Sequence, residues 1–501
     1  MKPVPGIPVP PGRRARRHLS VEALVLCGAG ALAALVLIHA AWRCSYRYEL
    51  DPLEGAMLYS CFKVSRHLPL YSVPGTIPYA SYIYPPGYYF LGSLLLRLTG
   101  PTLVSLRIAS VAAMLLCAIS MGGLLFSEKR DARGALFSGL IYLTTYPMML
   151  FYYDTVRLDG VWLAILAGGV YLLACPRSGL VRAFLGSGLL LSACAVKHNA
   201  VILILGVCAG LYHAGRRKTS FALGLAAVSW VVVFLVGLDR VTGGASTGCL
   251  ITDPQRQPYS AVQYAANLRF ALLSVGALVP LLALGIREGW RRKDAPTSVM
   301  LGWAAASVVA ALPTGKLGGG PSNFMPLILA LSFFSGSGLC LARGAWRGGL
   351  LPCVVASSVG LHLFFNLFVP CVPAPADVRD MRRLESLVRA SKGLIYLEGT
   401  MELAAFAANE SAIDGYRIWE LHRAGYGVPA GLLRAIRNHR VDLVTCSEEW
   451  CPAQIAELTQ QEYVRVMTFQ PSFRRRPLGV FVPPERVAPG WPGTVERKPG
   501  R

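Results

Sequence analysis

Apolar residues run in long blocks along this chain, separated by short connections in which basic residues collect. The first block, Val21 to Trp42, is long enough to cross a bilayer, which takes about 20 mostly apolar residues in a helix. The segment before it, MKPVPGIPVPPGRRARRH, is Pro-rich and then basic. The block also exceeds the short apolar region of a cleavable signal, so it reads as a retained first helix with residues 1–20 inside. Further spans are predicted at 103–126, 134–152, 160–175, 183–196, 199–213, 219–238, 267–286, 297–312, 323–342 and 350–370, which makes about eleven in all. A shorter block from Tyr84 to Leu98 opens on Pro85-Pro86 and aromatic residues, and reads as an interfacial or re-entrant helix. After Pro370 the pattern changes. Short runs such as Gly393-Leu-Ile-Tyr-Leu-Glu and Val441-Asp-Leu-Val-Thr alternate with helix-like stretches, predicting a small α/β domain over 371–480 and a Pro/Gly-rich flexible tail over 481–501. The fold class expected is therefore an all-α polytopic membrane protein with a small C-terminal α/β domain.

Composition agrees with the pattern: 54% of residues are hydrophobic, only 15% are charged, and the mean hydropathy is +0.47. The net charge of +22 would point to nucleic acid in a soluble protein, but here the basic residues punctuate apolar blocks, as orientation signals do. The connections 128–133, 177–182, 216–218, 287–293 and 343–347 should all face the cytoplasm, and alternating the eleven spans from an internal N-terminus puts every one of them there. The same alternation places the loop 43–102, the segment around 154–159, the loop 239–266 and the C-terminal region outside. It holds only if 84–98 does not cross. Of the thirteen cysteines, Cys27, Cys117, Cys194 and Cys208 lie inside apolar blocks as small hydrophobes. Cys446 and Cys451 suit a disulfide in an extracytoplasmic domain, and no metal-ligand spacing is present.

Candidate chemistry sits at the borders of the spans. Carboxylates are costly near hydrocarbon, so Asp51-Pro52-Leu53-Glu54 and Asp154-Thr-Val-Arg157-Leu-Asp159 mark a reaction or transport site. The three-residue spacing of Asp51 and Glu54 can put both acids on one helical face, one as a base and the other orienting an acceptor or holding a cation; solvated juxtamembrane acids would show the same spacing. Lys197, with His198 and Asn199, and Lys316 in Gly315-Lys-Leu-Gly-Gly-Gly are cations at predicted outer borders, suited to an anionic group, although snorkelling and an ordinary flexible loop are the plain alternatives. Tyr84 and Tyr88 suit either a sugar-stacking surface or an aromatic membrane belt.

The order of these pieces carries a resemblance. Asp51…Glu54, Leu70-Tyr71, Tyr82-Ile-Tyr84-Pro-Pro-Gly-Tyr88-Tyr89, Leu106-Arg107, Tyr152-Tyr153-Asp154, Arg157-Leu-Asp159, Lys197-His198-Asn199, and Gly315-Lys316 with Asn323 together resemble the integral-membrane GT-C glycosyltransferases over about residues 20–370. The similarity is to their protein O-mannosyltransferase-like and aminoarabinose-transferase-like bacterial branch. The resemblance implies transfer of a hexosyl or pentosyl group from a polyprenyl-phosphate donor to a lipid, glycan or protein acceptor, on the extracytoplasmic face of a bacterial plasma membrane. It implies Asp51 as the base, Glu54 as its partner and Asp159 as the acid of the second loop; substrate binding would fall to Asp154, Arg157, Tyr84, Tyr88, Lys197, Asn199, Lys316 and Asn323. Pro52 and Leu53 separate two acids that are adjacent in many relatives, which leaves the base open between Asp51 and Glu54. No metal is assigned, a divalent cation between Asp51 and Asp159 staying open. A secondary transporter and a non-catalytic assembly subunit of the cell envelope are the competing classes. The absence of visible half-repeats speaks against the former.

Overall fold

The computed structural model describes residues 13–73, 75–81, 83–176, 179–345, 350–469 and 477–487. Long apolar blocks fold as helices because only an internally hydrogen-bonded backbone survives burial in hydrocarbon. They are α1 (Arg13–Ser45), α2 (Pro52–Ser65), α3 (Gly87–Thr99), α4 (Leu103–Lys129), α5 (Ala132–Thr144), α6 (Leu158–Ala174), α7 (Leu180–Val196), α8 (Ala200–His213), α9 (Arg217–Val241), α10 (Ala261–Val275), α11 (Val279–Arg291), α12 (Ala295–Ala310), α13 (Met325–Ala345) and α14 (Leu351–Phe365). Among the described residues, six helical stretches are long and apolar enough to cross a membrane; α6, α7, α8 and α14 are shorter apolar helices.

Several predicted boundaries differ, among them the following. The span expected over 134–152 ends at Thr144, because Pro147 lacks the N–H that a helix needs and Leu150 and Phe151 take left-handed backbone angles. The span expected over 267–286 is longer, running as α10 and α11 with a 3-10 turn at Gly276–Leu278 just before Pro280. The basic Arg13–Arg17 cluster lies inside α1 rather than in a separate tail, and residues 1–12 fall outside the described ones.

Close helix contacts rest on small residues. Gly206 and Gly210 of α8 face Gly302 and Ser298 of α12, so closely that a Cβ on Gly206 would come within 2.5 Å of the Gly302 carbonyl and one on Gly302 within 2.1 Å of the Gly206 carbonyl. Packing of this kind replaces the hydrophobic drive that lipid removes.

The C-terminal unit is α/β, as expected, with α15 (Pro375–Ala390), α16 (Glu402–Phe406), α17 (Gly415–Arg423), α18 (Ala430–Arg437) and α19 (Ala453–Glu462) around a five-stranded sheet. Its strands are β1 (Leu394–Leu397), β2 (Ala412–Asp414), β3 (Val441–Cys446), β4 (Val464–Phe469) and β5 (Leu478–Val482), in the order β2-β1-β3-β5-β4. The β1 pairings to β2 and β3 are parallel, whereas β5 is antiparallel to both β3 and β4. Because β5 reaches Val482 and a 3-10 turn follows at Pro484–Arg486, the domain runs past the expected end at 480; the tail from 488 lies outside the described residues. Cys446 and Cys451 are joined by a disulfide.

The first loop cements this unit to the helices. Tyr48 Oη donates to Glu385 at 3.0 Å, Tyr59 Oη donates to the Asn409 carbonyl at 3.1 Å, and the Asp414 amide donates to the Tyr79 carbonyl at 2.9 Å. Packing is continuous between them, since one buried apolar cluster includes Met57 and Phe62 of α2 together with Leu384, Leu397 and Leu403 of the C-terminal unit.

Candidate functional site

Asp51 caps α2, its Oδ1 accepting the Leu53 amide at 3.0 Å. Pro52 in the first turn favours that start, since its missing N–H would have no partner there anyway. Both Asp51 oxygens also accept from Arg157 Nη2 at 2.9 Å, and the guanidinium lies over the Tyr152 ring, 3.8 Å from its centre. Three residues along, Glu54 does something different. It is wholly buried and takes Arg107 at 2.8 and 2.6 Å, the Leu50 amide at 2.5 Å and the Val156 amide at 2.8 Å. Burial pushes its carboxyl up, but Arg107 and those two amides outweigh burial and leave it below the ordinary carboxylate range. Arg107 completes the knot by donating to the carbonyls of Arg43, Tyr46 and Tyr48. Glu54 thus ties the first loop to the backbone beside Arg157, and through Arg157 to Asp51.

Asp159, in the first turn of α6, is buried and paired with Lys197 Nζ at 2.7 Å. Lys197 lies at the break between α7 and α8, where it also donates to Asn323 Oδ1 at 3.0 Å. Lys316 sits in a glycine loop pinned by Gln263, whose amide donates to the carbonyls of Lys316 and Gly319 at 2.7 and 2.8 Å. Its Nζ donates to the Pro254 carbonyl at 2.7 Å.

These segments, far apart in sequence, enclose a cavity of about 440 Å3. Arg157, Lys197, Asn199, Lys316, Asn323 and Tyr84 line it together. Asp51 and Asp159 stand one residue behind, each held by a lining cation. Leu235 of α9, with Leu250 and Ile251, forms an apolar flank. Three expected residues lie elsewhere. Glu54 is in the Arg107 knot. Asp154 is buried against Arg43 at 2.8 Å and against Tyr146, and Tyr88 is buried against Tyr89.

The C-terminal unit contributes residues that no motif announced. Tyr416 and Glu420 of α17 line the same cavity, and Glu420 Oε1 lies directly above Gly318, where an added Cβ would meet it at 2.7 Å. Gly318 has φ +75, so glycine is favoured there on both counts. Arg417, between them in sequence, is buried and donates to Ser81 O at 3.0 Å, Glu420 Oε2 at 2.9 Å and Asp253 Oδ2 at 2.8 Å. Burial, then the charges of Glu420 and Asp51, push the Tyr416 phenol well up. The only prior signal was the run Asp414-Gly-Tyr-Arg-Ile-Trp-Glu420, which has no motif grammar.

A divalent cation fits this arrangement poorly. Asp51 and Asp159 already hold Arg157 and Lys197, which a metal would have to displace. Among the described residues, the one cluster of three metal-capable side chains, Glu398 with Cys446 and Cys451, is in the C-terminal domain, where the cysteines are joined to each other.

No protein-family model matches the chain, and no curated protein matches it by sequence. Solved structures do match. The aminoarabinose transferase ArnT from Cupriavidus metallidurans, bound to undecaprenyl phosphate, aligns with a TM-score of 0.61 at 15% identity, over 90% of this chain and 97% of that one; its apo form aligns with a TM-score of 0.60. The oligosaccharyltransferase AglB from Archaeoglobus fulgidus, in complex with an inhibitory peptide and a dolichol-phosphate, aligns with a TM-score of 0.52 at 13% identity, over 94% and 75%. This chain thus shares the fold of the solved ArnT and AglB structures, which are GT-C glycosyltransferases.

Proposed function

We propose that this protein transfers a sugar from a polyprenyl-phosphate donor to an acceptor at the outer face of a membrane. The observation that carries the reading is the single cavity in which Arg157, Lys197 and Lys316 converge beside Asp51 and an apolar flank. Charged walls beside an apolar flank suit a lipid phosphate, the cations facing the headgroup and Leu235, Leu250 and Ile251 the chain. The likeness to ArnT bound to undecaprenyl phosphate and AglB with dolichol-phosphate supports the same donor class.

In the reaction, an acceptor hydroxyl gives its proton to Asp51 while its oxygen attacks the anomeric carbon. The bond from that carbon to the phosphate oxygen breaks, and the electron pair leaves with the lipid phosphate. Lys197 and Lys316 stabilise the charge that develops on the leaving phosphate. Asp159 aims Lys197, and Arg157 aims Asp51. The step needs no metal, so chelation with EDTA should leave the rate unchanged. Alternation of the basic connections, with the disulfide in the C-terminal domain, supports an extracytoplasmic site.

The test is transfer of radiolabelled hexoses and pentoses from polyprenyl phosphates in membranes bearing wild type or Asp51→Asn. Transfer by wild type, reduced about 10²- to 10⁴-fold in the variant at equal expression, supports the enzyme and its base. Full activity of Asp51→Asn would remove Asp51 from the chemistry. Label carried across the membrane without a new glycosidic bond would instead identify a transporter.

A further inference from the structure

The cavity is cationic on its membrane-domain side, and among its described lining residues a single carboxylate, Glu420, faces those cations from the C-terminal domain. A carboxylate cannot help to hold a phosphate; it repels one. It is a strong acceptor for hydroxyl protons, and a sugar ring is a dense set of hydroxyls. One oxygen of Glu420 is fixed by Arg417 at 2.9 Å, which is itself anchored to Asp253, so the carboxylate is held rather than free to swing. The other oxygen is the one above Gly318, at the glycine loop that carries Lys316. One turn earlier, Tyr416 brings an aromatic ring to the same wall, supported by Trp419 and Trp450 at ring-centre distances of 5.6 and 5.2 Å. Aromatic ring and carboxylate together offer the two kinds of contact a sugar takes, stacking for its C–H surface and an acceptor for its hydroxyls.

We propose that Tyr416 and Glu420 bind the sugar of the donor, so that the C-terminal domain selects which glycosyl group is transferred while the helical domain holds the lipid phosphate. The inference rests on the polyprenyl-phosphate reading above. It assigns specificity to residues that lie outside the part of the chain carrying the sequence resemblance. Sites built to hydrogen-bond a hydroxyl reject analogues that lack it far more strongly than apolar pockets reject a missing methylene, so Glu420 is placed where discrimination is greatest.

The test compares binding of undecaprenyl phosphate alone with a panel of undecaprenyl-phosphate hexoses and pentoses by full-length wild type, Glu420→Ala, Glu420→Gln and Tyr416→Leu in detergent. The expected result is that wild type prefers at least one glycosylated lipid over the bare lipid. Glu420→Ala and Tyr416→Leu should each bind the preferred glycosylated lipid tenfold or more weakly than wild type, while their affinity for bare undecaprenyl phosphate should not fall, and with Glu420→Ala can rise as the repelling carboxylate is removed. Glu420→Gln, which keeps shape and part of the hydrogen bonding, should fall between, and serves alone if Glu420→Ala does not fold. Three results overturn the inference and leave the donor reading standing: a preference retained in the variants, no preference in wild type that binds the bare lipid, or equal loss of bare and glycosylated lipid in the variants. Wild type that binds neither form overturns the donor reading itself.

Discussion

At the scale of single residues, two acids three positions apart have opposite fates, and burial decides which is which. Asp51 stays at the edge of the cavity with Arg157, while Glu54 is enclosed with Arg107, neither side chain of that pair exposing any surface. Removing one partner of such a buried pair strands the other charge and costs about 3–5 kcal/mol. Glu54→Gln should therefore lower the melting temperature of the detergent-solubilised protein and its yield, whereas Asp51→Asn should leave both near wild type and lose transfer. Fluorescence-detected size exclusion after heating separates the two. Asp414, the N-cap of α17, makes a different test. One of its oxygens is buried without a hydrogen-bond partner, and burial pushes its carboxyl from an ordinary 3.8 up to about 7. The folded protein then holds this proton more tightly than the unfolded chain between about pH 4 and 7, so stability from this group is complete below pH 4 and falls as pH rises through that window. Asp414→Asn keeps the cap without the charge. It should raise the melting temperature at pH 8 relative to wild type and flatten the loss of stability between pH 5 and 7.

Among elements, the contact of α8 with α12 carries the bundle near the site. Because Gly206 and Gly302 meet backbone to backbone, Gly206→Leu must push the helices apart, and overpacking of this sort costs about 1–3 kcal/mol or more. Asn199 ends the α7–α8 break immediately before α8, so the same variant should also displace Lys197 and lower lipid-phosphate affinity along with thermal stability. Gly188→Ala, on α7 with nothing within 4 Å of the added carbon, should change neither and is the matched control. Most helices were legible from the apolar blocks, since burial in hydrocarbon leaves a backbone little choice, but α2 lay within what read as the first loop. Helix ends were less so. Pro147 stopped α5 within a block whose hydropathy continued, and Pro280 broke α10 from α11, because backbone chemistry overrides side-chain polarity at a terminus.

For the whole molecule, the decisive arrangement is that the first loop, the 154–159 loop, the α7–α8 break, the glycine loop and α17 all meet at one place. If the alternation of basic connections is right, that place is outside. A phosphatase fused after the C-terminal domain should then be active and one fused within residues 128–133 inactive; the reverse pattern would place the cavity in the cytoplasm. From the sequence alone came the membrane class, the helical blocks, the α/β character of the end of the chain and the Cys446–Cys451 pair, because hydropathy and cysteine spacing are local properties written into the residues; Arg157, Lys197, Asn199, Lys316, Asn323 and Tyr84 came as substrate-binding candidates through the family resemblance, and the structure lines one cavity with them. Tertiary structure alone decided that Glu54 and Asp154 would be sequestered by Arg107 and Arg43, and that Tyr416 and Glu420 would close the cavity from some 260 residues beyond Arg157. Which cation a carboxylate finds, and which distant helix roofs a pocket, depend on packing between segments that carry no mark of each other in the sequence.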